Sequence, residues 1–357
     1  MTESRRSAAD AGVKRRTPHE DGFSMPPEWT PHERCLMAWP TRRELWGSQF
    51  EPAKGSYAEF ARAIVRFEPV LMVANTGDGG EAAELCGSAV DVLELPIDDS
   101  WLRDNGPVFV TGRDGRVAAV DFQFNAWGDK YHPYDKDQAV TALLCEQLGI
   151  PRYEASFVME GGSIAVDGEG TMLTTESCLL HPNRNPSMSR EETESGLRDY
   201  LGVEKVVWVP WGRSEADTDT DGHIDGVAAF AAPGVVLLQM TDDEGDRNHA
   251  HFEDNRRRLA AERDAHGRPF EIREFRTISY VEVGGRRLSL PHMNFYLANG
   301  AVIAPIAEQP TDAAVLEFLS AAFPDREVVG VPGAVVDYGG GNVHCITQQQ
   351  PRAAASH

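Results

Sequence analysis

GPVFVTGRDGRVAAVDF, residues 106–122, is the stretch from which the architecture can be read. Two apolar, β-rich runs meet there at Asp114-Gly115, the pattern of a hairpin. The device recurs as GSIAVDGEGTMLTT (162–175), GVAAFAAPGVVLLQM (226–240) and MNFYLANGAVIAPI (293–306), with turns at 167–170, Pro233-Gly234 and Asn299-Gly300. Helical patterns alternate with the hairpins. Tyr57, Phe60, Ala61, Ile64 and Val65, and later Val315, Phe318, Leu319, Ala322 and Phe323, recur at i, i+3, i+4, i+7, i+8, one face of an amphipathic helix. Weaker helical stretches lie at 137–148, 189–201 and 251–264. Apolar strands at 69–75, 152–158, 203–210, 270–275 and 326–332 follow the helices, with 33–40 opening the series and 342–347 closing it.

The chain therefore reads as about five strand, strand, helix, strand units. A repeat of that size predicts an α/β ring or propeller in which each unit covers its neighbour's core. The same elements without symmetry would make an ordinary α+β domain.

A length of 357 residues allows two average domains or one large one. No apolar run approaches the roughly 20 residues that cross a bilayer. Residues 1–24 are polar and mildly basic with no apolar centre, and are expected to be a disordered leader, not a targeting peptide. Five scattered cysteines without a CxxC pair predict a reducing compartment such as the cytoplasm. A net charge of −22 disfavours nucleic acid and anionic membrane as partners and favours small cations.

Residues with chemical potential fall at one recurring point, at or just before the hairpins. They are Asp104 in DDSWLRDNGP, Glu160 in MEGGS, His223 and Asp225 in DTDGHIDG, and Cys345 in YGGGNVHC. A ring would bring these positions to one end of its axis. Taken singly, each has a plainer reading: Asp104 could cap a turn, His223 could be structural, and Cys345 could be a small buried hydrophobe. Glu160 is harder to dismiss, because an acid near an interior needs a positive partner. Gly339-Gly340-Gly341 also sets Cys345 apart, since three glycines let a backbone approach a ligand closely. Gly340 and Asn342 are accordingly expected beside the substrate.

Other motifs fail on inspection. Asp217, Asp219, Asp221 and Gly222 copy half of a calcium loop, but its twelfth position is Ala228, not a bidentate acid. His223, Asp225 and Cys345 lack the further sulfur or histidine that zinc favours. No metal or organic cofactor is expected.

Several carboxylates around one pocket suit a guanidinium, which is planar and cationic and pairs bidentately with acids. Its central carbon is a poor electrophile, and a cysteine thiolate is the natural nucleophile for it. The expected sequence is attack by Cys345, protonation of departing ammonia by His223, and water attack on a covalent thiouronium. Asp104 and Asp225 would grip the guanidinium nitrogens, with Glu160 orienting the imidazole or sharing the clamp. The substrate's own charge would favour the thiolate.

MPPEWTPHERCLMAWP (25–40), DDSWLRDNGPVFV (98–110), MEGGSIAVDGEGTMLTTESCLLHPNRNP (159–186), DTDGHIDG (219–226), NFYLANGAVIAP (294–305) and GGGNVHCITQQQP (339–351) closely resemble the agmatine deiminase family. That family belongs to the guanidino-group-modifying superfamily with the five-bladed α/β-propeller (pentein) fold. The resemblance implies a single domain over 25–351, with a tail at 352–357, and hydrolysis of agmatine to N-carbamoylputrescine and ammonia. It implies Cys345 as nucleophile, His223 as acid/base, and Asp104, Glu160 and Asp225 on guanidinium or histidine. It also implies Trp101 as a pocket wall, Asp219 as receiver of the distal ammonium, and a homo-oligomer. Polyamine synthesis, agmatine breakdown and a specialised route would look alike in sequence.

Three stretches depart from the family pattern: Gly226, PGAVVDY (332–338) and Leu290-Pro291-His292-Met293. They are expected to reshape the far end of the pocket. The alternatives are a deiminase of arginine, peptidyl arginine or another guanidino compound, an amidinotransferase, and a non-catalytic binding protein. An α-carboxylate substrate would want a basic residue at the rim, whereas Asp219 favours an amine.

Overall fold

The computed structural model describes residues 16–213 and 219–354. Residues 1–15 of the expected leader, Asp217 and residues 355–357 of the tail lie outside them.

The fold is mixed α/β. Among the described residues, five sheets share one pairing rule, in which a strand has an antiparallel neighbour on one side and a parallel one on the other, and in four of them a hairpin supplies the antiparallel pair. Val108–Gly112 and Val117–Gln123 are followed by Arg152–Val158. Ile164–Val166 and Thr171–Thr175 are followed by Lys205–Val209. Ala228–Ala232 and Val235–Gln239 lead to Glu271–Phe275, and Tyr296–Ala298 and Ala301–Ile306 lead to Glu327–Pro332. In the remaining sheet the antiparallel strand comes from the far end of the chain. Thr347–Pro351 pairs with His32–Ala38, which runs parallel to Val70–Ala74, and that strand to Asp91–Glu94.

Parallel neighbours cannot be joined by a tight turn, and helices make each crossover: Phe50–Ile64, Gly79–Cys86, Asp135–Leu148, Arg190–Leu201, His249–Ala261 and Asp312–Ala322. Every expected hairpin and helix is present. The helix Arg190–Leu201 starts at a capping box, with Ser189 Oγ accepting from Glu192 N–H and the Glu192 carboxylate accepting from Ser189 N–H, which satisfies two otherwise free donors.

Each apolar cluster straddles two consecutive units. Leu36 and Val73 pack with Phe109 and Leu144, and Val108 and Phe157 with Ile164 and Trp208. Leu173 and Val207 meet Phe230 and Val236, Leu237 and Phe275 meet Phe295 and Leu319, and the largest cluster returns Tyr296 and Ile303 to Met37 and Phe60. No unit buries its apolar face alone.

Four features differ from the sequence reading. The closing strand begins at Thr347, not at Asn342. Asn342 Oδ1 accepts from Val343 N–H, and bonds from Ile346 N–H to Asn342 O and from Thr347 N–H to His344 O curl the preceding segment, so Cys345 sits in a turn. The leader boundary at 24 falls inside the fold, because Phe23–Ser24 pairs with Thr111–Gly112 and buries Phe23. In the tail, Arg352 and Ala354 donate to the carbonyls of Pro31 and Gly115. A hairpin not anticipated, Ser279–Val283 with Arg286–Leu290, turns at Gly284-Gly285, both with positive φ.

No described helix is long and apolar enough to cross a membrane. All five cysteines are buried and unpaired.

Candidate active site

Gly162 marks where the functional side chains converge. A Cβ there would lie 2.6 Å from His223 Nδ1, 2.8 Å from Asp104 Oδ1 and 2.9 Å from Asp225 Oδ2. One at Gly341 would lie 2.8 Å from Cys345 Sγ and from the Trp101 ring. These two glycines keep the floor open. Above it is a cleft of about 330 Å³ lined by Leu45, Asp99, Trp101, Asp104, Trp127, Tyr131, Asp219, Thr220, Gly339, Gly340, Gly341 and Cys345.

Asp104 sits on the short helical turn Leu102–Asn105. Its Oδ1 accepts from Gly162 N–H at 3.0 Å and its Oδ2 from the Trp127 indole at 3.0 Å. That indole rides on a strained loop in which Ala126, Trp127 and Asp129 all have positive φ, a conformation costly for side-chain-bearing residues. Burial, helped by Asp225 and Glu160 and opposed by His223 and the indole, pushes Asp104 up to about 6.

Glu160 is fully buried, and its Oε1 receives Arg184 Nε at 2.6 Å. Its Oε2 makes no hydrogen bond, and it lies 3.8 Å from His223 Nε2. Against burial, Arg184 and His223 hold this carboxyl below its ordinary value. His223 leads the turn Ile224–Gly226. Its Nδ1 is 3.8 Å from Asp104, and neither ring nitrogen has a hydrogen-bond partner. Burial opposes the imidazolium, but Asp104, Cys178 and Glu160 outweigh it and raise His223 well above its ordinary value.

Cys345 Sγ receives Asn294 Nδ2 at 3.1 Å and faces Asp225 Oδ2 at 3.5 Å. Burial, then Asp225 and Asp104, raise the thiol well above its ordinary value, with Asn342 and Asn294 donors opposing. Asp225 Oδ2 also receives His344 Nδ1 at 2.9 Å. Asp219 lines the cleft, its Oδ1 accepting from Tyr131 O–H at 2.6 Å. Trp101 lines it too, backed by a stacked Trp46 at 5.9 Å.

The structure thus brings together Cys345, His223, Glu160, Asp104 and Asp225, with Trp101, Asp219 and Gly340 along the cleft. Asn342 differs: its side chain turns away to Gly333 O and Val343 N–H, leaving only its backbone toward Cys345. The three departures from the family pattern, expected to reshape the far end, do not line the cleft. Residues 334–338 form a short helix, and His292 is buried against Ser279 Oγ at 2.8 Å.

Sequence reasoning missed Asn294, Arg184, Trp127 and Tyr131. Asn294 was legible, because it occupies the start of the fourth hairpin, the position from which the other units supply their polar residues. Arg184 and the two aromatics lie in connections whose course only the fold sets. Glu160, Cys178 and His223 place one donor atom each within 4.8 Å of one another. The carboxylate of that trio also pairs with the Arg184 cation through Oε1.

Chemically, the arrangement offers a sulfur nucleophile, an imidazole that carries a proton, and carboxylates aimed at one small volume. It can bind a planar cation and attack its centre.

Known proteins share this framework. The family model for Porphyromonas-type peptidyl-arginine deiminase matches residues 24–351. An agmatine deiminase of Pseudomonas aeruginosa is 43% identical, covering 94% of this chain and 97% of its own length. A putative agmatine deiminase of Legionella pneumophila is 41% identical with the same coverage. Among solved structures, the agmatine deiminase of Enterococcus faecalis superposes with a TM-score of 0.91 at 37% identity, covering 95% of this chain and 99% of its own. A C. jejuni agmatine deiminase with substrate bound gives 0.85 at 28% identity, covering 93% and 97%. With relatives above 40% identity along nearly the whole of both chains, this chain belongs to the agmatine deiminase family.

Proposed function

We propose that this chain hydrolyses agmatine to N-carbamoylputrescine and ammonia through a covalent thiouronium on Cys345. The observation that carries the reading is the convergence of His223, Asp104 and Asp225 at Gly162, with Cys345 Sγ 3.5 Å from Asp225 and Glu160 3.8 Å from His223, beside a cleft whose lining holds Asp99, Asp104 and Asp219 and no basic side chain. A guanidinium seated on Asp104 and Asp225 would bring its carbon over Cys345 Sγ and its charge beside the sulfur. That charge offsets the burial and the acid repulsion that keep the free site's thiol protonated, so the thiol proton leaves to solvent as the substrate binds and the thiolate attacks.

Sulfur attack gives a tetrahedral adduct. The His223 imidazolium passes its proton to one nitrogen, the C–N bond breaks, and ammonia leaves a thiouronium. The now neutral His223 takes a proton from water, the oxygen adds to the same carbon, and the C–S bond breaks to release the thiolate and, as the remaining hydroxyl proton passes to solvent, the neutral ureido product. Glu160, held by Arg184, fixes the imidazole. Trp101 and Trp127 wall the methylene chain, and Asp219 with Tyr131 receives the distal ammonium.

The agmatine deiminase relatives support the substrate. The five like-paired sheets and the clusters that join them in a circle support a single five-bladed α/β-propeller over 25–351. The family resemblance extends the proposal to a homo-oligomer in the cytoplasm, and the unpaired cysteines agree with a reducing compartment.

The test is ammonia release by purified protein from agmatine, arginine and other guanidines, beside Cys345→Ala. Release from agmatine that disappears in the variant is expected. Activity only with another guanidine would replace the substrate. Mass spectrometry of quenched enzyme should show protein enlarged by agmatine less ammonia; its absence during turnover would sink the thiouronium.

A further inference from the structure

Three carboxylates in one buried site repel one another unless each has its own cation. Glu160 has Arg184 at 2.6 Å, and Asp104 has the His223 ring at 3.8 Å. The direct partner of Asp225 is His344, which is not among the residues that line the substrate cleft. Its ring lies between two acids: Nδ1 is 2.9 Å from Asp225 Oδ2, and Nε2 is 2.8 Å from Glu28 Oε1. A neutral imidazole has one donor and one acceptor nitrogen, so one carboxylate would face a lone pair. With both carboxylates ionised, both contacts are satisfied only when both nitrogens carry protons. Glu28 has its own support in Arg103, 3.7 Å away, whose Nε also donates to His344 O at 3.1 Å.

We infer that Glu28 and His344 are a positioning pair: Glu28 keeps His344 an imidazolium against Asp225, so that Asp225 meets the arriving guanidinium as an oriented carboxylate. This rests on the proposed deiminase reading for the part Asp225 plays. Glu28 acts from outside the substrate cleft. It lines a second cavity of about 410 Å³, whose wall it shares with Trp29, Phe230, Phe295, His344 and Asp225. The charged groups facing the ring are Glu28, Asp225 and Arg103. Burial and Arg103 oppose its charge, while Glu28 and Asp225 outweigh them and hold it above its ordinary value. Burial opposes ionisation of Glu28, but His344 and Arg103 bring it down to about 2. Asp225 itself sees His344, His223 and Arg103 as cations, and its carboxyl stays low despite burial. Asp104, whose nearest cation His223 also faces Glu160, is pushed up to about 6 by burial.

Glu28→Gln removes the outer anion and leaves Arg103 repelling the ring. The proton shared by His344 and Asp225 then shifts toward Asp225, whose grip on guanidinium weakens until rising pH removes that proton. The Asp225-linked fall of kcat/KM for agmatine, which lies below the limb set by Asp104 near 6, should therefore move to higher pH by about one unit, which means a roughly tenfold loss at the acid end. The loss should sit in KM more than in kcat and recover as pH rises. Glu28→Asp, which keeps the charge, should restore most of it. A uniform loss at every pH, or an Asp225-linked fall that does not move, would overturn the inference. Should Glu28→Gln fail to fold, ¹⁵N-histidine NMR of the unmodified protein decides: the His344 ring should stay doubly protonated through neutral pH, and a neutral ring there refutes the pair. If the unmodified protein releases no ammonia from agmatine, it is the deiminase reading that fails, whereas the NMR result judges His344 independently.

Discussion

At the scale of single residues, the site is governed by who neutralises whom. Of the three carboxylates grouped around His223, Asp104 is the one whose charge is least secured, pushed up to about 6 by burial together with Asp225 and Glu160. A carboxyl with a raised value is neutral below it, so guanidinium binding should weaken as pH falls through 6. KM for agmatine is expected to rise by about tenfold per pH unit below that point, measured by initial rates across pH in the stable range of the fold. A flat KM from pH 7 to 5 would contradict it. Arg184 secures Glu160 in a fully buried pair, and its Nη1 also reaches Asp221 at 2.7 Å. Arg184→Met would strand that charge at a cost of about 3–5 kcal/mol. Denaturant unfolding should register the loss, and Glu160→Gln in the same chain should recover part of it, because the stranded group is then neutral.

At the scale of elements, short turns at the heads of the hairpins do the placing. The segment Gly161–Ser163 is one turn of 3₁₀ helix between Glu160 and the strand Ile164–Val166. It sets Glu160 on one side of the site and sends Gly162 N–H to Asp104. Gly162→Ala would put a methyl within 3 Å of His223, Asp104 and Asp225, in the volume proposed for the guanidinium. We expect kcat/KM for agmatine to fall by about a hundredfold or more while the unfolding midpoint changes little. An equally large drop in stability would mean that the glycine serves packing alone.

At the scale of the whole molecule, closure depends on groups from opposite ends of the chain. The strand Thr347–Pro351 completes the sheet that His32–Ala38 begins. Beside it, buried Glu68 accepts from Tyr296 O–H at 2.6 Å and Asn299 N–H at 2.7 Å, and lies 3.0 Å from His32 Nδ1. Glu68→Ala would leave these buried polar groups without their acceptor, at about 1–3 kcal/mol each. A fall of several kcal/mol in unfolding free energy is expected, and a change under 1 kcal/mol would show that the closure does not rest on this network.

The sequence by itself determined the four hairpins, the crossover helices that follow them, and the recurring point at which the units present polar residues. Alternation, helical periodicity and Gly-centred turns are local signals, and local physics reads them. Cys345, His223, Glu160, Asp104 and Asp225 were named from that recurrence, and Asn294 could have been. The tertiary structure alone decided that Asn342 turns away from the cleft, that Arg184 secures Glu160, and that the Trp127 loop reaches Asp104. It alone set Glu28 against His344, 316 positions apart. Such partners meet only when the ends of the chain are brought together, and no local pattern encodes which charges burial will force into contact.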